Sequence, residues 1–201
     1  YQGDPVWLRY ETLSVVGARN MHPLTQEWLF SDMHDFLKMK PSVALISGGA
    51  VGVDQASHLV CMRIGRPTVV VLPCGLNRLY PNNLTQLKDY ILQAGGCLLS
   101  EFENEHSVRK SYFYHRNRLI SAFSQITLVA QAERKSGTFL TVHHALQNGK
   151  TIITLPAHPR AAEFSGNKFL MREGAFFIHD SNDLHDFWEA ESWSGRVLSS
   201  P

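Results

Sequence analysis

Neither sign of charge dominates this 201-residue chain: 19 Lys and Arg stand against 18 Asp and Glu, for a formal net charge of +1. General polyanion affinity is therefore excluded, and any nucleic-acid surface must be a local patch. No apolar run is long enough to span a bilayer. Cysteine is scarce. Cys61, Cys74 and Cys97 are odd in number, far apart and set in or beside predicted helices and strands, which fits reduced core thiols rather than disulfides or a zinc site and points to the cytoplasm. None of the ten histidines has zinc-site companions, and the adjacent His143 and His144 diverge on a helix, so no metal is expected. There is no Walker A lysine motif. The glycine spacing at 48, 49 and 52 misses the dinucleotide fingerprint, and no acid ends the next strand to grip a ribose. ATPase and NAD dehydrogenase readings are both weak, and no cofactor is expected.

What is present is a core-forming composition, 44% hydrophobic, in short Val, Ile and Leu runs at residues 13–16, 43–46, 68–72, 97–100, 126–130 and 151–155. These read as buried parallel strands. Between them lie helical patterns: Leu24, Trp28, Leu29, Met33, Phe36 and Leu37 share one face, and Val53, Ala56, Val60 and Ile64 another. Leu84, Leu87 and Ile91 mark a third helix, residues 119–123 a short fourth and residues 140–146 a fifth. The alternation predicts an α/β protein, an extended Rossmann-like three-layer α/β/α sandwich with a mostly parallel sheet and ligands at the strands' carboxyl ends. Strand order does not follow from the pattern. Residues 1–180 form the predicted core domain; residues 181–201 add a helix near 184–190 and a frayed tail. The start at Tyr1, without an initiator Met, fits a trimmed chain.

The loop Ser47, Gly48, Gly49, Ala50, Val51, Gly52 follows a strand and opens a helix, which reads as a cradle for phosphate. Asp54 is expected to hold that loop through backbone N–H groups, and His58 to be a packed helix residue. Arg19 stands where the first strand ends; phosphate ligation and ordinary surface exposure are equally weighted for it. Lys135, Ser136, Gly137 and Thr138, preceded by Arg134, resemble a second anion nest, with plain helix capping by Ser136 as the alternative. A basic segment at 109–118 interleaves cations with Tyr112, Phe113 and Tyr114 just before a helix, as in a single-strand groove. For the aromatics alone, plugging the core edge is favoured.

The ordered set VGAR (16–19), SGGAVGVD (47–54), CGLNRLYP (74–81), GGCLLSE (95–101), HRNRLISAFS (115–124), SGTFLT (136–141), GNKFL (166–170) and EGA (173–175) resembles the DprA/Smf family, the DNA-processing proteins of natural transformation. The resemblance covers nearly the whole chain. It implies a protein that binds single-stranded DNA without strong sequence preference, forms a homodimer and hands the strand to a RecA-type recombinase, with no catalysis. By the same resemblance, Arg19, the 47–52 loop and Lys135 with Ser136 and Gly137 bind phosphate. Arg116, Asn117 and Arg118 match its RNR tripeptide, and Asn167 with Lys168 lies in its late GxN-like element. The alternative is a nucleotide-binding or nucleotide-cleaving protein akin to the cytokinin-activating and nucleoside-transferase families, with Asp54 or Glu101 in acid–base work.

Overall fold

The computed structural model describes residues 1–157 and 160–197, with side chains up to Glu191 in its last helix. The expected tail beyond residue 197 and the Trp193 side chain lie outside the described residues. Eight strands form one sheet: β1 (Gln2–Gly3), β2 (Glu11–Gly17), β3 (Val43–Ser47), β4 (Thr68–Val71), β5 (Cys97–Leu99), β6 (Ile126–Gln131), β7 (Thr151–Thr154) and β8 (Phe176–Phe177). Their spatial order is β1-β5-β4-β3-β2-β6-β7-β8. All pairs are parallel except β1 with β5. This is the expected extended Rossmann-like sandwich. The two-residue edge strands carry no period-2 signal of their own; neighbouring strands recruit them.

Side-chain alternation along each strand makes two cores. Leu13, Val15, Val43, Leu45, Ile126 and Leu128 face one layer, formed by α1 (Pro23–Trp28), a widened π turn (Leu29–Met33), α2 (His34–Met39), α3 (Val53–Arg63) and α8 (Ser181–Val197). Val16, Ala44, Ile46, Val69, Val71 and Val129 face the other, formed by α5 (Lys110–Ala122), α6 (Thr138–Gln147) and α7 (Ser165–Arg172). A third cluster packs α4 (Leu84–Gln93) through Leu84 and Ile91 against Val70 and Leu98. All three cysteines are buried and free. Burial pushes the Cys61 thiol up to about 12, so it is an inert core group.

Two differences from the sequence reading bear on the site. α5 begins at Lys110 rather than near residue 119, so the basic and aromatic segment is itself helical. α8 runs from Ser181 to Val197, and Trp188 within it is fully buried against Phe36, ring centroids 5.8 Å apart.

Chain order reverses at β2. From there β3, β4 and β5 extend to one side and β6 and β7 to the other. Carboxyl ends of the strands flanking such a switch point splay apart and leave a crevice. Here those ends carry Gly17, Ala18 and Arg19 after β2, and the 132–137 loop after β6.

Candidate functional site

A cleft of ≈690 Å³ opens at that point. Arg19 and Ala50 border it on one side, the amino end of α6 through Ser136, Gly137 and Thr138 on another, and α5 forms its wall with Phe113, Arg116, Asn117 and Ile120. The α5 residues recur at helical spacing, which puts them on one face. Arg109 and Lys110 at the start of α5 and Tyr80 stand at the rim.

The glycine loop is built differently from a free phosphate cradle. Asp54, buried at the start of α3, turns its carboxylate back on the loop and accepts from the Ala50 N–H at 3.3 Å. Gly48 N–H also points to it. Ser47 is fully buried and donates to the Val15 carbonyl at 2.5 Å. Gly48 and Gly52 are required sterically: a Cβ at Gly48 would sit 1.6 Å from Arg116 Nη1, and one at Gly52 2.4 Å from the Ala18 carbonyl oxygen, where φ is also +92°. Of this loop only Ala50 lines the cleft. Ser47, Gly48, Gly49 and Gly52 thus shape its floor from behind, because the Ser47 hydroxyl is spent on Val15 and the three glycines are packed against Arg116, Val70 and the Ala18 carbonyl. The expected roles of Asp54 as loop anchor and of His58 as a packed residue match the geometry: His58 is fully buried, with Nδ1 2.7 Å from Thr68 Oγ1.

Beneath Gly48 lies the second surprise. Arg116 is buried and donates from Nη1 to the Val71 carbonyl at 3.1 Å. Burial pulls its guanidinium pKa down, opposed by the Asp54 charge and reinforced by that of Arg19. Burial likewise raises the Asp54 carboxyl, opposed first by Arg116. Arg116 is therefore a cation inside the wall rather than a surface hand for phosphate. Its field still reaches the cleft, because buried charges are weakly screened. Asn117, also buried, faces the cleft beside it. Arg118 points elsewhere and is ion-paired with Glu101. Phe113 stands between two guanidinium groups, with Arg19 Cζ 5.8 Å and Arg116 Cζ 5.6 Å from its ring centroid. Tyr80 meets the same ring edge-on at 5.9 Å.

The second nest has free donors. No side chain caps α6; Ser136 Oγ is shielded from solvent and has no partner among the described residues. Among the described residues no backbone carbonyl takes the N–H of Gly137 or Thr138, so the positive end of the α6 dipole opens into the cleft. Lys135 is exposed one residue ahead. Asn167 is not at this surface. It is fully buried, accepts from the Ala132 N–H at 2.8 Å and donates to Thr154 Oγ1 at 2.9 Å, tying the ends of β6 and β7 together. Lys168 beside it does not line the cleft.

The family model for DNA recombination-mediator protein A matches residues 1–189. The chain belongs to that family. Among its relatives, Protein Smf of Synechocystis is 34% identical over 73% of this chain, and the DNA processing protein DprA of Streptococcus pneumoniae 27% over 92%. The chain spans 36% and 64% of those two proteins' own lengths. The X-ray structure of the S. pneumoniae protein superposes with a TM-score of 0.80 at 27% identity, covering 89% of this chain and 62% of that one. A structure describing the single-stranded DNA binding mode of DNA processing protein A from Helicobacter pylori superposes with a TM-score of 0.84 at 26% identity, covering 94% of this chain and 85% of that one. The molybdenum cofactor carrier protein of Chlamydomonas reinhardtii, at 14% identity and a TM-score of 0.61, shares the fold alone.

Seen as a member of the recombination-mediator protein A family, the chain brings together Arg19, Arg116, Asn117, Ser136, Gly137 and Thr138 of the residues singled out from sequence. The sequence reading missed Tyr80, Ile120 and Thr141, and took Phe113 and Tyr114 for core plugs although both line the cleft. The 113, 116/117, 120 spacing would have revealed the wall had residues 110–118 been read as helix.

Proposed function

We propose that this chain binds single-stranded DNA in the cleft, without catalysing a reaction, and protects and passes the strand to a RecA-type recombinase in natural transformation or recombination. The observation that carries the reading is the α6 amino end. A buried hydroxyl and free N–H groups await acceptors there, and Arg19 stands on the cleft's other side. Phosphate oxygens supply acceptors of that kind, and Phe113, Tyr114 and Tyr80 offer faces on which bases can stack. Handover to a recombinase is supported by the family's description as a recombination mediator. Homodimer formation is supported by Phe176 and Phe177, exposed on the edge strand β8.

Acid–base cleavage of nucleotides fits less well. Asp54 is the one carboxylate among the described cleft residues and is spent on its own loop, while Glu101 is held by Arg118. Fluorescence anisotropy with labelled single strands of increasing length, at low and moderate salt, tests the reading. Affinity should rise with length, fall with salt, and drop tenfold or more in an Arg19→Ala, Lys135→Ala double variant. Gly137→Ala serves as a second probe. Nothing lies within 4 Å of its added methyl, so it should weaken binding with the melting temperature unchanged. Absence of binding at low salt, or turnover of mononucleotides, would overturn the proposal.

A further inference from the structure

At the amino ends of β3 and β4, on the far side of the sheet from the cleft, a second groove of ≈460 Å³ lies between α2 and α3. His34, Lys38, Arg63 and Arg66 line it together with Pro41 and Ile64, and no carboxylate does. His34 is engaged by Asp35 at 2.8 Å. Lys38, Arg63 and Arg66 have no acidic partner among the described residues. Arg63 lies over the Phe30 ring at 4.4 Å and Arg66 near the Tyr10 ring at 5.6 Å. Both guanidinium groups are thereby positioned by packing rather than by charge.

Lys38 and Arg63 sit in the last turns of α2 and α3, where cations offset the negative helix ends. Each helix end carries roughly half a charge. Three full positive charges against two half charges leave the groove net positive. Such uncompensated density is unexpected in a chain whose overall charge is only +1.

The groove also extends toward the Arg19 loop, whose other side borders the cleft. A second depression runs from Gly52, behind the Arg19 loop, along α3 past Leu59 and Phe30 to Arg63, which borders both depressions. Its one acid is Glu27. The path follows α3, 11 residues long, or about 16 Å at the helical rise.

We propose that Lys38, Arg63 and Arg66 form a distal contact for the sugar-phosphate backbone of a single strand that leaves the cleft along α3. This rests on the DNA-binding reading above and extends it from one cleft to a track. Because the contact lies away from the cleft, it acts on long strands and not on short ones.

The test compares wild type with a Lys38→Glu, Arg63→Glu variant, and with a neutral Lys38→Gln, Arg63→Gln variant as a check on fold, using labelled oligonucleotides of about 6 and about 30 nucleotides. The expected result is unchanged affinity for the short strand and about a tenfold loss for the long one, with its salt slope reduced by about 2 in log–log terms. The glutamine variant should show a smaller loss in the same direction and a wild-type melting curve. Acetylation of Lys38, read by mass spectrometry, should be suppressed by the long strand only. Wild-type affinity and salt slope for the long strand in the glutamate variant, with Lys38 unprotected, would overturn the distal contact and leave the cleft reading standing. If wild type binds neither length, both fall. The Arg19→Ala, Lys135→Ala variant separates the two sites, since it should weaken both lengths alike.

Discussion

Asn167 illustrates how far a residue's type can be read before its destination is known. In sequence it stands in a Gly-Asn-Lys element beside a cation, and its amide suits a nucleic-acid contact equally well. In the fold it closes a polar seam: besides Ala132 and Thr154, its Nδ2 lies 3.2 Å from the Val129 and Ala130 carbonyls. These lie near the end of β6, where the Leu155 N–H and the Thr154 hydroxyl also reach the Val129 carbonyl and buried backbone groups must be paired. Asn167→Ala strands the buried Ala132 N–H and takes one donor from the Val129 and Ala130 carbonyls, which should cost about 2 kcal/mol and lower the melting temperature by about 4–8 °C. The folded fraction should keep wild-type affinity for short single strands, measured by anisotropy at a temperature below both transitions. A variant of normal stability with weakened binding would instead place Asn167 at the nucleic acid. Arg116 teaches the same lesson from the other side. Its charge was legible in sequence, but its burial under Gly48 was not, because nothing local says that this glycine leaves room for a guanidinium.

At the scale of elements, the strands were legible because each is a short run of β-branched and aliphatic residues buried on both faces. The helices were legible where the apolar stripe is clean, and blurred where buried polar residues interrupt it. Arg116, Asn117 and Ser121 occupy inward positions of α5, so an apolar-periodicity reading starts that helix two turns late. Polar flanks make the terminal helix look short in sequence, yet it runs from Ser181 to Val197 and Trp188 anchors it. The indole is fully buried, packs on Phe36 and places Nε1 3.3 Å from Glu11 Oε2. Trp188→Ala removes a large buried ring from the core shared by β2, α2 and α8. It should destabilise the protein by about 3–5 kcal/mol, read as a lower urea midpoint, with Trp188→Phe recovering much of the loss. An unchanged midpoint would mean that α8 does not contribute to the stability of the sheet.

For the molecule as a whole, the near-balance of charge conceals a buried titratable stack under the glycine loop, comprising Asp54, His58 and Arg116. Thr68 donates its hydroxyl proton to the Leu45 carbonyl at 3.0 Å. Its oxygen therefore accepts the His58 Nδ1–H, and Nε2 is left bare and without a partner among the described residues. A second proton would place a charge in the core beside Arg116. Burial, reinforced by Arg116, accordingly lowers His58 to about 3 from the ordinary 6.5. Between those values the unfolded chain binds more protons at this site than the folded one, so stability falls as pH drops below about 6.5, by up to about 1.4 kcal/mol per pH unit. Asp54, raised in the fold, opposes this at pH values above its ordinary 3.8, since its folded form holds a proton that the unfolded carboxylate has released. The net expectation is a urea midpoint that declines from pH 6.5 to about 4.5 in wild type and declines less in His58→Asn, which cannot protonate. Equal slopes in the two proteins would assign acid sensitivity elsewhere. Because the same stack supports Gly48 and, through Arg116, the cleft wall, single-strand affinity should be lost in step with the acid transition and return when the pH is restored.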